Sequence, residues 1–378
     1  MPTIGIVAGE ASGDLLGSHL IAALKQRRPD LQFIGIAGPK MMAAGAKTLF
    51  SMERLAVRGY FEVLRHYLGI RKIRSELIQY FLQNPPDLFI GIDAPDFNLG
   101  LEQKLRRKGI KTIHYVSPSI WAWRKNRVKT IKHAADQVLC LFPFEKPLYE
   151  DAGVVATYVG HPLADVIPLK MDKALMRAEL QISDAGHVIA LLPGSRQSEL
   201  DYMADLFVKT AMRITQDVPD ALFLVPLVSR ETRIKFELAI MRNQAFDVHF
   251  KLLFGHAQKA LAAADGAIVA SGTATLEAAL IKCPMVITYR MSRLSWPLMK
   301  RMGYLPWVGL PNIIAGKFLV PELLQDRATP EALADELLQL VFDRKRVASL
   351  KKEYTSIHLA LQQNNAEKAA DAILGQLA

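Results

Sequence analysis

Short apolar runs alternate with polar, helix-forming stretches through the first 150 residues. Thr3 to Ala8, Phe33 to Ala37, Asp87 to Ile92, Lys111 to Val116 and Gln137 to Leu141 read as strands, and the first leads into a helix from about Asp14. Several of these runs are apolar at consecutive positions, so both of their faces must be covered. That pattern belongs to a parallel sheet flanked by helices, with the Gly- and Pro-rich segments at its carboxyl ends forming the ligand-binding edge. After Tyr158 to Leu163 the same grammar restarts with His187 to Leu192, Ala221 to Val228, Val248 to Leu253, Gly266 to Ala270 and Met285 to Thr288. Three helical segments follow, at about 329–341, 345–362 and 365–377, the first with Leu333, Leu337, Leu338 and Val341 at helical spacing. The expected fold class is therefore α/β, with two Rossmann-like domains facing a cleft. Their expected bounds are 1–164 and 165–344, and helices in 345–378 return to an amino-terminal domain of the same or a partner chain.

Composition narrows the setting. The chain has 378 residues, 51% of them hydrophobic and 22% charged, enough for two cored domains. Two cysteines, Cys140 and Cys283, support neither a disulfide framework nor a cysteine-based zinc site and favour a reducing compartment. Met1 to Val7 lacks the layout of a signal peptide, and no apolar run reaches the roughly 18 to 20 residues that span a bilayer, so membrane contact is expected to be peripheral. Net charge is +10, yet residues 1–150 hold 22 Lys and Arg against 13 Asp and Glu, while the rest is nearly balanced at 25 against 24. The first part is thus expected to face something anionic: a phospholipid surface, a phosphorylated substrate or nucleic acid.

The first strand runs into Gly9-Glu10-Ala11-Ser12-Gly13-Asp14. It lacks the dinucleotide fingerprint, and its oxygen-bearing side chains suit sugar hydroxyls, although Ser12 or Asp14 would also serve as a helix cap. Gly91-Ile92-Asp93-Ala94-Pro95-Asp96-Phe97-Asn98 ends another apolar strand. Asp93 emerges where ligands bind and suits a general base for a sugar hydroxyl, whereas Asp96 and Asn98 read as turn or cap residues. His114 to Arg124 combines Trp121 and Trp123 with the basic series Arg124, Lys125, Arg127 and Lys129. It reads as a wall for an acyl-sugar phosphate, with a tryptophan in the core, or less readily as a nucleic-acid surface. Residues 57–70 place Val57, Tyr60, Phe61, Leu64, Tyr67 and Leu68 on one helical face, followed by Arg71, Lys72 and Arg74. Such a helix fits an anionic membrane interface, the competing reading being an ordinary core-facing helix.

In the second half, Leu192-Pro193-Gly194-Ser195-Arg196 joins a buried strand to a helix, so that Gly194 and Ser195 N–H groups and the Arg196 charge suit a departing pyrophosphate. Ser271, Gly272, Thr273, Ala274 and Thr275 repeat the device, and Glu277 is placed to accept from ribose hydroxyls or simply to favour the helix dipole. Asn312, in Leu310-Pro311-Asn312, is a further candidate for a base or phosphate. No His-x-x-x-His pair, cysteine cluster or Asp-x-Asp element points to a metal, and no cofactor is expected.

In this order, these motifs together with Lys282-Cys283-Pro284-Met285-Val286 resemble the lipid-A-disaccharide synthase family over almost the whole chain. The resemblance implies the B-type glycosyltransferase architecture and metal-independent, inverting transfer of 2,3-diacylglucosamine from its UDP conjugate. The implied acceptor is the 6-hydroxyl of 2,3-diacylglucosamine 1-phosphate, and the product a β-1,6 bond in lipid A biosynthesis. It also implies Asp93 as base, Glu10 and Ser12 beside the reacting sugars, and Arg196, Glu277 and Asn312 at UDP. A homodimer on the inner face of the bacterial inner membrane, touching anionic phospholipid and no nucleic acid, completes what it implies. A UDP-sugar epimerase-like enzyme and a non-enzymatic membrane or nucleic-acid adaptor are the rival readings.

Overall fold

The structure, a computed structural model, describes residues 1–55, 60–121, 127–182, 186–292, 296–297 and 305–377, excluding the side chains of 60–67. The chain divides into two compact units, Met1–Asp165 with Leu361–Ala378, and Val166–Ala360.

The first unit begins β1 (Thr3–Ala8), α1 (Ala11–Arg27), β2 (Gln32–Ile36), α2 (Pro39–Ala43), β3 (Ala46–Thr48), α3 (Tyr60–Gln83) and β4 (Leu88–Ile92). It continues with α4 (Pro95–Arg106), β5 (Thr112–Tyr115), α5 (Arg127–Ala134), β6 (Gln137–Cys140), α6 (Glu145–Glu150), β7 (Val155–Tyr158) and α7 (Pro162–Val166). Seven parallel strands lie in the order β3-β2-β1-β4-β5-β6-β7. Every residue of the central strand β4 is buried, as its unbroken apolar run Leu-Phe-Ile-Gly-Ile requires. Phe81, Phe89, Leu77, Ile73, Leu101 and Leu105 fill one face, where α3 and α4 cover the sheet.

The second unit contains α8 (Lys173–Glu179), β8 (Val188–Leu192), α9 (Gln197–Asp217), β9 (Leu222–Leu227), α10 (Arg230–Arg242), β10 (His249–Phe254), α11 (Ala257–Ala263) and β11 (Gly266–Ala270). Then come α12 (Thr273–Ile281), β12 (Met285–Tyr289), α13 (Leu310–Ala315), β13 (Glu322–Leu324), α14 (Pro330–Phe342) and α15 (Arg344–Leu361). Its six parallel strands are ordered β10-β9-β8-β11-β12-β13. Leu333, Ala334 and Leu337 of α14 enter the same core as Phe207, Phe223 and Ile268. The helical spacing seen in the sequence is therefore a core stripe.

Of the segment 345–378 expected to return, only its end does so. Residues up to Ala360 belong to the second unit, where Leu350, Tyr354 and Ile357 of α15 are buried. The final helix, α16 (Asn365–Leu377), packs on α1 of its own chain, with Arg27 pairing to Glu367 at 2.8 Å and Asp371 at 3.1 Å. The strands absent from the sequence reading, β3, β7 and β13, are short members with at most partly buried patterns. Short, half-exposed strands give no continuous apolar run to detect.

Candidate sugar and nucleotide sites

Each sheet reverses its strand order once, between β1 and β4 in the first unit and between β8 and β11 in the second. At such a reversal the loops leaving adjacent strands splay to opposite faces and open a crevice at the carboxyl edge. In the first unit the crevice is bordered by Gly9–Glu10 after β1 and by Asp93–Ala94 after β4. A Cβ on Gly9 would stand 2.7 Å from the Ala94 Cβ, so the two loops touch there and residue 9 must be glycine for them to approach.

The helix after β1 starts at Ala11, earlier than the expected Asp14, which changes the roles of the loop's polar groups. Glu10 is the exposed, extended residue before the helix and Ser12 is exposed in its first turn. Asp14 is 3% exposed and accepts the backbone N–H groups of Lys40 at 3.0 Å and Met41 at 2.9 Å. It therefore caps α2, a neighbouring helix, and not its own.

Asp93 and Ala94 take left-handed backbone, with φ of 49° and 42°, and throw the Asp93 side chain out of the sheet before Pro95 opens α4. The Asp93 N–H donates to Tyr115 O at 2.8 Å. Asn98, which the sequence reads as a turn or cap residue, is fully buried and donates from Nδ2 to Asp93 O at 2.8 Å and Ile92 O at 3.3 Å. It holds the turn from beneath. Asp96 lies exposed and pairs with Arg127. Half-buried Asp93 lines a cavity of about 230 Å³ with Pro95, Asp96, Ser117, Pro118, Ser119, Ile120 and Arg127. A larger cavity in this unit, about 500 Å³, is bordered by Thr3, Gln32 and Gly45, away from the carboxyl edge.

The cavity wall at 117–121 is anchored from behind. Trp121 Nε1 donates to Glu145 Oε1 at 2.9 Å, Phe142 N–H donates to Glu145 Oε2 at 2.9 Å, and Ser117 Oγ bonds the Tyr149 hydroxyl at 2.8 Å. Trp121 is thus the core tryptophan, edge-on to Phe142 and Phe144, while Trp123, Arg124 and Lys125 lie outside the described residues. Burial pushes the Glu145 carboxyl up to about 7 and the neighbouring His161 imidazole down to about 4. The sequence gives no sign of Glu145, because its neighbour Trp121 is 24 residues away.

In the second unit, Gly194 at φ 123° turns the chain from β8 to α9, and Ser195 and Arg196 are exposed. Of the two N–H groups expected here, that of Ser195 is occupied: Glu199 Oε2 accepts from Ser195 N at 2.9 Å, and also from Arg196 N at 3.1 Å. The carboxylate meets the unpaired donors that every helix start leaves. A phosphate reaching the Ser195 or Arg196 N–H group has to displace Glu199. On the other side of the crevice, Gly272 and Thr273 are exposed at the start of α12, and Ala274 is half-buried. Ser271 Oγ donates to Val308 O at 3.1 Å, and Thr275 Oγ1 donates back to Gly272 O at 2.8 Å, so Thr275 serves the turn and not the crevice. Glu277 sits half-buried with Gln258 Nε2 3.5 Å away, and desolvation raises its pKa.

Asn312 departs most from expectation. It is fully buried, donating to Val320 O at 3.0 Å and Glu322 Oε1 at 2.8 Å and accepting from Leu319 N at 2.8 Å and Val320 N at 3.1 Å. All its hydrogen-bonding groups are engaged in pinning the segment before β13, leaving none for a base or phosphate. Glu322, which lies outside the sequence motifs, also accepts from Val308 N and Gly309 N at 2.9 Å each.

Of the proposed membrane stripe, Val57 lies outside the described residues, as do the side chains of Tyr60, Phe61, Leu64 and Tyr67. Leu68 is described and 75% exposed. Helical geometry sets it about 140° around α3 from Ile73, which is buried in the core. Among the described residues no helix is long and apolar enough to cross a membrane.

Solved structures with the same fold include the UDP-GlcNAc 2-epimerase of Neisseria meningitidis, with a TM-score of 0.64, 11% identity and full coverage of both chains. They also include the MurG protein of Acinetobacter baumannii, with a TM-score of 0.60, 15% identity and coverage of 99% of this chain and 100% of that one. At such identities the likeness concerns the fold alone. Sequence relatives are far nearer. The lipid-A-disaccharide synthase of Methylobacillus flagellatus is 60% identical over 374 residues, 99% of each chain. That of Dechloromonas aromatica is 58% identical over 372 residues, 98% of this chain and 97% of the relative. A family model described as lipid-A-disaccharide synthetase matches residues 4–376, and with two Rossmann-like units carrying the family's motifs at their strand ends, the chain belongs to the lipid-A-disaccharide synthetase family.

Proposed function

We propose that this enzyme transfers the 2,3-diacylglucosaminyl group of UDP-2,3-diacylglucosamine to the 6-hydroxyl of 2,3-diacylglucosamine 1-phosphate, giving the β-1,6-linked disaccharide 1-phosphate and UDP. The observation that carries this reading is Asp93, a half-buried carboxylate at the strand-order reversal, opening on a cavity with Ser117, Ser119 and the Arg127 cation. Asp93 takes the proton of the acceptor hydroxyl as that oxygen bonds to the anomeric carbon; the bond from that carbon to the UDP oxygen breaks, and the electron pair leaves with UDP. Glu10 and Ser12 hold sugar hydroxyls at the same edge. In the second unit Arg196 and the amino terminus of α12, with Gly272 and Thr273, meet the developing charge on the pyrophosphate, Ser271 fixes the turn through Val308, and Glu277 accepts from the ribose. Gly194 and Ala274 shape those turns, and Thr275 and Asn312 act on UDP only through the loops they fix.

The basic first unit and exposed Leu68 support peripheral attachment to anionic phospholipid at the inner face of the membrane that holds the substrates. A homodimer belongs to the same proposal, with light scattering of the purified protein as its check. The test of the chemistry is UDP release from UDP-2,3-diacylglucosamine in mixed micelles, with and without 2,3-diacylglucosamine 1-phosphate and in the presence of EDTA. Acceptor-dependent release that Asp93→Asn abolishes is the expected result. Release without acceptor, or an Asp93→Asn enzyme of full activity, refutes the reading.

A further inference from the structure

Beneath Asp93 lies a polar layer that the proposed chemistry does not use. Asn98 and Glu102 stand one helical turn apart on the inner face of α4, and His114 faces them from β5; all three are completely buried. Glu102 Oε1 and His114 Nδ1 are 2.7 Å apart. Asn98 Oδ1, Glu102 Oε2 and His114 Nε2 have no hydrogen-bond partner among the described residues. Burying unmet polar atoms, and an ionisable pair with them, costs stability that apolar side chains of the same size would not. A layer with that cost, set directly under a functional turn, calls for a functional account.

The layer touches the turn at two places. Asn98 clamps the carbonyls of Ile92 and Asp93, the bonds that hold the left-handed Asp93–Ala94 pair. Gly91, two residues before Asp93, packs against the layer so closely that a Cβ there would lie 2.0 Å from Glu102 Oε1 and 2.9 Å and 3.0 Å from Asn98 Cβ and Cγ. Glu102, held to His114, and Asn98 therefore both back Gly91, the residue that leads into the turn. Desolvation raises the Glu102 pKa against the opposing pull of the His114 contact.

We propose that Asn98, Glu102 and His114 are positioning residues for the Asp93 carboxylate, holding the left-handed turn that aims it at the acceptor hydroxyl. The inference rests on the reading of Asp93 as the base. Two residues in the left-handed region store strain that relaxes unless the surroundings over-determine it, and a carboxylate displaced by about an ångström loses most of its effect.

The experiment compares Asn98→Ala and Glu102→Gln in the wild-type and Asp93→Asn backgrounds, measuring kcat, KM for both sugars and thermal unfolding. In the wild-type background kcat falls roughly 10- to 100-fold while both KM values change by less than about threefold. On Asp93→Asn the same substitutions lower the residual rate by less than about twofold, because no base remains to be aimed. Equal losses in both backgrounds, or losses in KM alone, overturn the inference and leave the layer a structural one. Should Asn98→Ala fail to fold, isosteric Glu102→Gln decides by the same criteria. An Asp93→Asn enzyme of full activity overturns the base reading, and this inference with it. A nearly inactive Asp93→Asn with background-independent effects at Asn98 and Glu102 overturns the inference alone.

Discussion

Replacing Glu145 by glutamine separates two buried titrations that offset one another in the first unit. The Glu145 carboxyl is 1% exposed and its pKa rises from 4.5 to about 7, chiefly by desolvation. Between those values the folded state binds a proton that the unfolded chain has released, so stability falls as pH rises through the window. Its contribution is fully present below about 4.5 and lost above about 7, and a rise of that size corresponds to about 3 kcal/mol. His161 runs the other way. Burial lowers its pKa from 6.5 to about 4, so in that window the unfolded chain holds the extra proton and stability rises with pH, again by about 3 kcal/mol. In wild type these two contributions therefore largely cancel between about pH 4.5 and 7. In Glu145→Gln the Glu145 contribution is gone, and the variant should gain about 3 kcal/mol relative to wild type as pH is raised from 4.5 to 8. A pH-independent offset is expected as well. The two oxygens of Glu145 each accept an N–H, from Trp121 and Phe142, and an amide NH₂ facing one of those donors forfeits about 1–3 kcal/mol. The assay is urea unfolding followed by fluorescence in a Trp296→Phe, Trp307→Phe background, where the remaining tryptophans, Trp121 and Trp123, belong to the first unit. A stability difference between variant and wild type that stays flat from pH 4.5 to 8 would refute the reasoning.

Asp14→Ala removes the acceptor for two backbone N–H groups at the start of α2 and should cost about 1–2 kcal/mol in denaturant unfolding while kcat and KM stay unchanged. Arg196→Ala removes the cation from an exposed turn whose Ser195 and Arg196 N–H groups already serve Glu199, and isothermal titration should show UDP binding about tenfold weaker with thermal unfolding unaltered. Asn312→Ala breaks four hydrogen bonds and leaves two loop N–H groups unmet; the second unit should lose at least about 2 kcal/mol, and a variant of unchanged stability with weakened UDP binding would restore Asn312 to direct contact.

The sequence makes the central strands legible because a strand buried on both faces has to be apolar throughout; β4 and β11 lie where their runs lie. It also brings Asp93, Gly194 and Ser271 to strand ends, since a motif directly after an apolar run can go nowhere else. What sequence does not carry is the direction of a side chain that leaves its own neighbourhood. Asp14 reaches α2 at residues 40 and 41, Glu145 meets the indole of Trp121, and Asn312 folds back on Leu319 and Val320. Each is polar in a loop or first turn, the signature of a ligand contact and of an internal brace alike. Glu102 and His114 are hidden for a related reason. Helix–strand pairing brings them within 2.7 Å, and neither the carboxylate in α4 nor the imidazole in β5 is unusual by itself.

The return of α16 to α1 also sets the order in which the protein can be finished. Unit one begins at the first residue, but its closing helix lies beyond residue 361, with the whole of the other unit between. On the ribosome, residues 166–360 emerge complete and can fold while the earlier unit still lacks the helix that covers α1 and supplies the partners of Arg27. Tyr115 likewise waits for Asn365, and Asp165 for the N–H groups of residues 363–365. The unit carrying Asp93 is thus the last to close, and a polypeptide released short of that helix leaves the candidate base on an unfinished scaffold for the quality-control machinery to meet.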